Sequence, residues 1–432
     1  MYCGSCIHGN TLAAALRAEG VEVVLAPVYT PLRTDEENVS VDRLMLGGIN
    51  VYLQESSAVF RWLPPPVRRL LDRPALVRWA ARRGMRTRPE RLGSLTVSLL
   101  QAEAGPLRQE IDRLVAWLEA DVRPSVIHLS NVMLAGLARP LRDRLGVPVV
   151  STLSGEDGFL EKLPQPWYDR ARAVLRERAA DLAALVAMNR YYADFMADYL
   201  AVPRERIHVI PPGLNLDGHG RKAEGENGPL AASQCPPQDL AKPQAATVGF
   251  LSRVCADKGL HLLADAMAIL SRDPAMPPFR VLAAGYLDEQ DRPYLAEVQR
   301  KLAQQGLGDR FEYVGELDRA AKIAFLQSLD VMCLPSLLGE SKGLPVLEAW
   351  ANGVPVVLPA HGAFCEMVED TGGGLLHEPG SAAALAEALG RMLREPGLAD
   401  LCGRRARQAV HQRYHAQRMA RQMIELYNRL ER

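Results

Sequence analysis

Two acids, two cations and a helix start stand out in this chain. The acids are Glu340 and Glu348, within PSLLGESKGLPVLEAWANGVPVV (335–357). The pattern there is strand, short loop, helix. Gly343 stands before the first turn, and with no Cβ it lets backbone approach a ligand closely. Pro345 suits the first helical position. A helix start has unsatisfied N–H groups and the positive end of the dipole, which suit a phosphate. On one helix the two acids would lie ~12 Å apart along the axis, at ~1.5 Å per residue. That exceeds the roughly 6.5–9.5 Å of an inverting glycosidase pair. The spacing instead puts Glu340 in the loop and Glu348 in the first turn, where it can accept hydrogen bonds from a sugar diol.

The cations lie in GFLSRVCADKGLHLL (249–263). Arg253 follows a strand and Lys258 begins a helix. Across one turn they can converge on a single pyrophosphate as charge-assisted donors. The plainer reading is two surface cations at a strand end. Taken together, the acids, cations and helix start suit a nucleotide-sugar. One acid grips each sugar, while backbone and cations hold the diphosphate.

These residues need a scaffold, and the chain alternates short β-branched runs with longer helical patterns. Strands are expected at 21–29, 49–55, 125–130, 147–153, 184–189 and 206–212, then at 246–252, 280–285, 311–315, 331–336, 354–360 and 373–377. Amphipathic stretches such as LRQEIDRLVAWLEA (107–120) separate them, and the tail from about 381 is helical throughout. Nearly continuous apolar strands between helices imply parallel sheets covered on both faces. Residues 218–245 break the pattern with Gly, Pro, Ala, Gln and charge, as a flexible connection does. The expected architecture is α/β: two doubly wound Rossmann-like domains with a ligand cleft between them, at the carboxyl ends of the strands. The domains are set at 1–215 and 246–410, with a linker at 216–245 and a final helix at 411–432 that packs back on the first domain.

Composition narrows the function classes. The chain has 432 residues, which suits two domains. Formal net charge is zero, so no global field argues for nucleic acid or an anionic membrane. The apolar runs are far shorter than the ~20 residues of a spanning helix. Seven scattered cysteines make no disulfide framework, and a reducing cytoplasm is the default. One local exception is the arginine-rich stretch 56–92, which includes Trp62 and Trp79. It reads as a solvated helical excursion or as a basic amphipathic lip for peripheral membrane contact or an acidic acceptor.

With these motifs in hand, the sequence resembles glycosyltransferase family 4, the retaining, metal-independent nucleotide-sugar transferases of the GT-B fold. SRVCADKG looks like the family's Arg…Lys-Gly element, GESKGLPVLEAWANGVPVV like its two-glutamate element, and VIPPGLNLD (209–217) like its entry to the second domain. The match spans nearly the whole chain. The resemblance implies that Arg253 and Lys258 bind the donor diphosphate, that Glu340 contacts the transferred sugar, and that Glu348 contacts the ribose. It implies phosphate contacts from the backbone of Gly343 and Leu344, and base contacts near Gly315–Leu317. No metal and no other cofactor is implied. The family usually has Gly and an aromatic after the first acid; here Ser341 and Lys342 stand there, and Lys342 could add a phosphate contact. Two rival readings remain. One is another enzyme of the same fold, such as a sugar epimerase or phosphorylase. The other is a nucleotide-sugar-binding protein without turnover.

The first domain should bind the acceptor and supply a cleft histidine. In VIHLSNVMLAGLA (126–138), His128 lies near a strand end and Asn131 at a helix start. In VVSTLSGEDGF (149–159), many relatives have histidine where this chain has Ser154. His128 then either takes a catalytic role or caps its own strand. Glu156 and Asp157 either orient acceptor hydroxyls or cap the following helix. The opening MYCGSC has no further metal ligands at suitable spacing and no strand ahead of it. It looks like a Gly-rich loop with Gly4 and Ser5 at a helix entrance near the donor phosphates. On that reading the strand before the loop is missing and Met1 is an internal start.

Overall fold

The computed structural model describes residues 4–28, 31–42, 44, 89–102, 106–220 and 245–431. The expected strand at 49–55, the basic stretch up to residue 88, Met1 and most of the linker lie outside the described residues. The chain falls into two compact units, one within Cys3–Pro211 plus Gln417–Arg432, the other within Pro212–Ala416.

In the first unit, β1 (Ile127–Leu129), β2 (Val149–Thr152), β3 (Ala184–Ala187) and β4 (Ile207–Val209) form a parallel sheet in that order. β2 and β3 are buried at every position, as the continuous apolar runs require. Helices including Gly4–Ala18, Pro89–Gln101 and Trp167–Ala179 belong to this unit. The expected strand at 21–29 differs. Its described residues make a single parallel bridge, Leu25 to Ser40, and no ladder. The 31–40 segment is tied instead to the Gly4–Ala18 helix. Buried Asn10 donates to the Glu37 carbonyl (2.9 Å) and accepts from Val39 N–H (3.0 Å), and Thr11 donates to Glu36 Oε2 (2.8 Å). These side-chain bonds take the place that a β-ladder would have filled.

The second unit holds β5 (Ala246–Leu251), β6 (Phe279–Ala284), β7 (Phe311–Gly315), β8 (Val331–Cys333), β9 (Val356–Pro359) and β10 (Gly374–His377). All pairs are parallel, in the order β10-β9-β8-β5-β6-β7. The chain starts in the middle at β5, runs outward to β7, then crosses back to β8 and runs outward the other way. The carboxyl ends of β5 and β8 therefore flank a topological switch point, where open α/β sheets bind ligands. One helix crossing the centre of this unit, Leu344–Ala351, is buried almost all round, and Trp350 at its core donates to the Gly373 carbonyl (2.9 Å). A helix with no polar face is an interior helix.

The unit boundaries depart from those expected. Residues 212–220 belong with the second unit. Leu214 N–H donates to the Tyr414 carbonyl (2.8 Å) and Ala416 N–H to the Leu214 carbonyl (2.9 Å), while Gly220 N–H donates to buried Asn352 (3.0 Å). The start of the expected linker is thus hydrogen-bonded structure. The final helix, Ala416–Leu430, runs into the first unit, where Arg421 pairs with Glu19 (3.0 Å).

Candidate functional site

Both loops at the switch point carry the singled-out residues. After β5 the chain passes Arg253 and a short 3-10 turn, Ala256–Lys258, before the Leu260–Leu270 helix. Lys258 therefore ends a tight turn ahead of the helix. Gly259, at φ +73°, makes the junction, and a Cβ there would stand 2.0 Å from the Pro335 carbonyl oxygen. Only glycine allows this backbone approach. The β5 and β8 loops are further stitched by Leu337 N–H donating to the Asp257 carbonyl (2.8 Å). This packing brings Lys258 Nζ to 3.0 Å from Glu340 Oε2.

Glu340 lies in the loop, as its spacing from Glu348 required. Its Oε1 faces the backbone N–H groups of Lys342 (3.3 Å) and Gly343 (3.5 Å). Its backbone carbonyl accepts from Ala363 N–H (2.9 Å). Burial pushes the carboxyl pKa up, but Lys258 and the Lys342 N–H outweigh it, and the net value falls to about 2. Glu340 is an ionised group held at a helix start by a lysine and two amides. Gly343 caps the helix at φ +67°, with Met367 Sδ packed where a Cβ would be. Leu344 is the first helical residue, so Pro345 takes the second position and Glu348 the second turn; both fall one place later than expected.

Arg253 is exposed, donates to Cys255 Sγ (3.3 Å), and among the described residues has no salt bridge. Gly315, at the end of edge strand β7, accepts from Gly285 N–H (2.8 Å), and Leu317 packs on the core beyond it. Arg253, Lys258, Glu340, Lys342, Gly343 and Leu344 thus gather at the switch point, with Gly315 and Leu317 at the end of the same sheet's edge strand.

Glu348 has a partner that the sequence reading missed. Its carboxylate meets Lys322 Nζ at 2.5 Å, and both side chains are about nine-tenths buried (10% and 11% exposed). Lys322 sits in the Arg319–Gln327 helix, whose buried face is Lys322, Ile323, Phe325 and Leu326. A lysine in register with an apolar stripe was the available signal.

The first unit supplies the expected acceptor residues, and most are committed to one another. His128 has both ring nitrogens hydrogen-bonded, Nδ1 with Tyr427 Oη (2.5 Å) and Nε2 with Thr152 Oγ1 (2.7 Å). Burial lowers its pKa to about 4. Of the two readings of His128, the structural one has named partners: it joins β1, β2 and the final helix, and it is neutral near pH 7. Glu156 is buried and accepts from Ser154 N–H (2.7 Å), Ser154 Oγ (2.8 Å) and Val132 N–H (3.2 Å). It ties the loop after β1 to the loop after β2 rather than offering a carboxylate to hydroxyls. Asp157 accepts from Tyr192 Oη (2.6 Å), which itself accepts from Gly155 N–H (2.9 Å). Asn131 precedes a 3-10 turn, Val132–Leu137, and among the described residues its side chain donates to Ser130 Oγ (3.5 Å). Gly4 and Ser5 open the Gly4–Ala18 helix, and Ser5 Oγ donates to Ser154 Oγ (3.3 Å).

Among the described residues no cluster of His, Cys, Asp or Glu could hold a metal ion, and no helix is long and apolar enough to cross a membrane.

Comparison with known proteins agrees with this geometry. Residues 236–409 match the family model for glycosyl transferases group 1, and residues 99–217 match that for glycosyltransferase family 4. A D-inositol 3-phosphate glycosyltransferase of Jonesia denitrificans is 31% identical over 66% of this chain and 67% of its own length. A 2-deoxystreptamine glucosyltransferase of Streptomyces kanamyceticus is 28% identical over 71% and 82%. Among solved structures, the sucrose-phosphate synthase of Thermosynechococcus elongatus superposes with a TM-score of 0.68 at 19% identity, covering 98% and 97% of the two chains. Anabaena HepE in complex with UDP-glucose gives 0.61 at 20% identity, covering 76% and 84%. These likenesses show the fold.

Proposed function

The chain belongs to glycosyltransferase family 4 and is a glycosyltransferase; we propose that it moves a sugar from a nucleoside-diphosphate donor to an acceptor hydroxyl with retention at the anomeric carbon. The observation that carries the reading is the meeting of Arg253, Lys258 and the Leu344–Ala351 helix start at one switch point, with ionised Glu340 among them. A protein of the same fold that holds UDP-glucose supports a nucleotide-sugar donor.

Lys258 has three hydrogens to donate, and one goes to Glu340. The other two, the Arg253 guanidinium and the Leu344 N–H face the diphosphate. Their charge and dipoles are fixed before the reaction, so they stabilise the negative charge that grows on the leaving group without reorganising. Glu340, anchored by Lys258 and two amides, holds the transferred sugar by its hydroxyls. The leaving phosphate takes the acceptor's proton, so no protein base is required on that face. This fits a first unit whose His128 and Glu156 are already hydrogen-bonded. With cations and amides meeting the diphosphate charge, the transfer is metal-independent.

The test is a thermal-shift screen of nucleotide-sugars, followed by transfer to candidate acceptors and NMR assignment of the product anomer. Ligands that bind the folded state raise its melting temperature. We expect at least one nucleotide-sugar to stabilise the protein and the product to keep the donor's anomeric configuration. An inverted product would refute retention. A new sugar formed from donor alone would favour the epimerase reading.

A further inference from the structure

The buried pair of Lys322 and Glu348 has no part in the mechanism above. Glu348 sits on a helix with almost no exposed face, so its carboxylate lies below the surface. An ionised carboxylate in such a place needs a partner of opposite charge. Lys322 provides it, from the helix that follows β7 and the Gly315–Leu317 turn. That turn is where the donor base is expected, so Lys322 and the base belong to one strand–loop–helix unit. The helix is fixed at its start by Asp318, whose Oδ1 accepts from Ala321 N–H (2.9 Å).

The bonding is one-sided. Glu348 Oε1 takes the lysine, whereas Oε2 accepts no hydrogen bond among the described residues. A second contact fixes the helix rather than the carboxylate: Asn352 Nδ2 donates to the Glu348 backbone carbonyl (2.9 Å). One carboxylate oxygen is thus anchored and the other is left to accept.

We propose that Lys322 is a positioning residue for the nucleoside end of the donor, holding Glu348 Oε1 so that Oε2 is presented to the ribose hydroxyls. This rests on Glu348 being the ribose acid. Without Lys322 nothing would hold Oε1 in place, and the carboxylate would swing toward water. The site would then lose its grip on the ribose but not on the diphosphate, which Arg253, Lys258 and the Leu344 N–H hold on this reading.

The experiment is calorimetric titration of ribonucleoside diphosphates (UDP, ADP and GDP) and their 2′,3′-dideoxy counterparts into the full chain and its variants. Inorganic pyrophosphate serves as a reference for the diphosphate contacts. In the unsubstituted protein the ribo form should bind about tenfold or more tightly than the dideoxy form, the worth of a hydrogen bond to a charged group. Glu348→Gln and Lys322→Met should each bring that ratio to within about twofold, leaving pyrophosphate affinity unchanged. Lys322→Arg, which keeps a charged donor, should restore most of the ratio. If Lys322→Met does not fold, Lys322→Gln is read instead, and the ratio should fall at least about threefold. A ratio near one in the unsubstituted protein would overturn the ribose reading of Glu348. A ratio abolished by Glu348→Gln but untouched by Lys322→Met or Lys322→Gln would leave that reading intact and overturn the role of Lys322.

Discussion

Gly259→Ala tests whether contact between the β5 and β8 loops sets the position of Lys258. Gly259 has φ +73°, and a Cβ there would lie 2.0 Å from the Pro335 carbonyl oxygen. Gly306 has φ +71° with no atom within 4 Å of its Cβ position. The dihedral penalty of an alanine, about 1–2 kcal/mol, is common to both and cancels in the comparison. Only the contact differs. Carbon and oxygen approach to roughly 3.3 Å at their closest in weak hydrogen bonds, so one of the loops must retreat by more than ~1 Å. The Leu337 N–H to Asp257 carbonyl bond spans the same gap and would be stretched or lost, at about 1 kcal/mol or more for a hydrogen bond. Urea denaturation should therefore show Gly259→Ala less stable than Gly306→Ala by about 2 kcal/mol. Lys258 adjoins the shifted residue and its partner Glu340 follows Pro335 in the other loop. A displacement of about 1 Å at such a site can lower activity about a hundredfold. Donor turnover by Gly259→Ala should fall by that order, while Gly306→Ala keeps the original rate. Equal stability of the two variants, or full turnover by Gly259→Ala, would refute the reasoning.

Further outcomes follow from other named contacts. Glu340→Gln should lower kcat about 10–100-fold, since a charge-assisted contact to the transferred sugar becomes a neutral one. The Glu340 carboxyl pKa is lowered from 4.5 to about 2, so its contribution to stability is complete above the ordinary carboxylate range and is lost progressively as pH falls from about 4.5 through about 2; the acid limb of the pH–rate profile should survive in Glu340→Gln unchanged in midpoint. His128 behaves in the opposite region. Burial lowers its pKa from 6.5 to about 4, so the unfolded chain binds the extra proton between those values and stability falls as pH drops through that window. By pH 5 the loss should reach about 2 kcal/mol relative to pH 7.5 at 1.36 kcal/mol per unit, and denaturant titrations of His128→Gln should lack that slope. Turnover assayed with and without EDTA should be equal, because the diphosphate charge is met by side chains and amides.

The strands of the second unit were legible because each is a short apolar run between helical patterns, and burial on both faces leaves that pattern no alternative. Arg253, Lys258, Glu340 and Gly343 were legible because their places relative to strand ends and a helix start carry the chemistry. What the sequence hid were pairings. The role of Lys322 is set by a helix buried almost all round that brings Glu348 against it. The partner of His128, Tyr427, lies at the other end of the chain, so its local pattern left a catalytic and a capping role open. Glu156 could orient acceptor hydroxyls or cap a helix from its local pattern, and three donors from two loops converge on it. Residues 21–28 have strand composition, yet the 31–40 segment is held by Asn10 and Thr11 side chains instead of a ladder. In each case the local pattern was sound and a distant segment decided the use of the side chain.

The central claim is that Arg253, Lys258 and the start of the Leu344–Ala351 helix together bind a diphosphate. The most direct measurement is calorimetric titration of the stabilising nucleoside diphosphate into the unsubstituted chain and into Arg253→Ala with Lys258→Ala. Loss of two charge-assisted contacts predicts affinity lower by about a hundredfold or more, and the melting temperature of the free double variant should also fall, because Glu340 loses its Lys258 partner. Binding of equal strength to both proteins would contradict it.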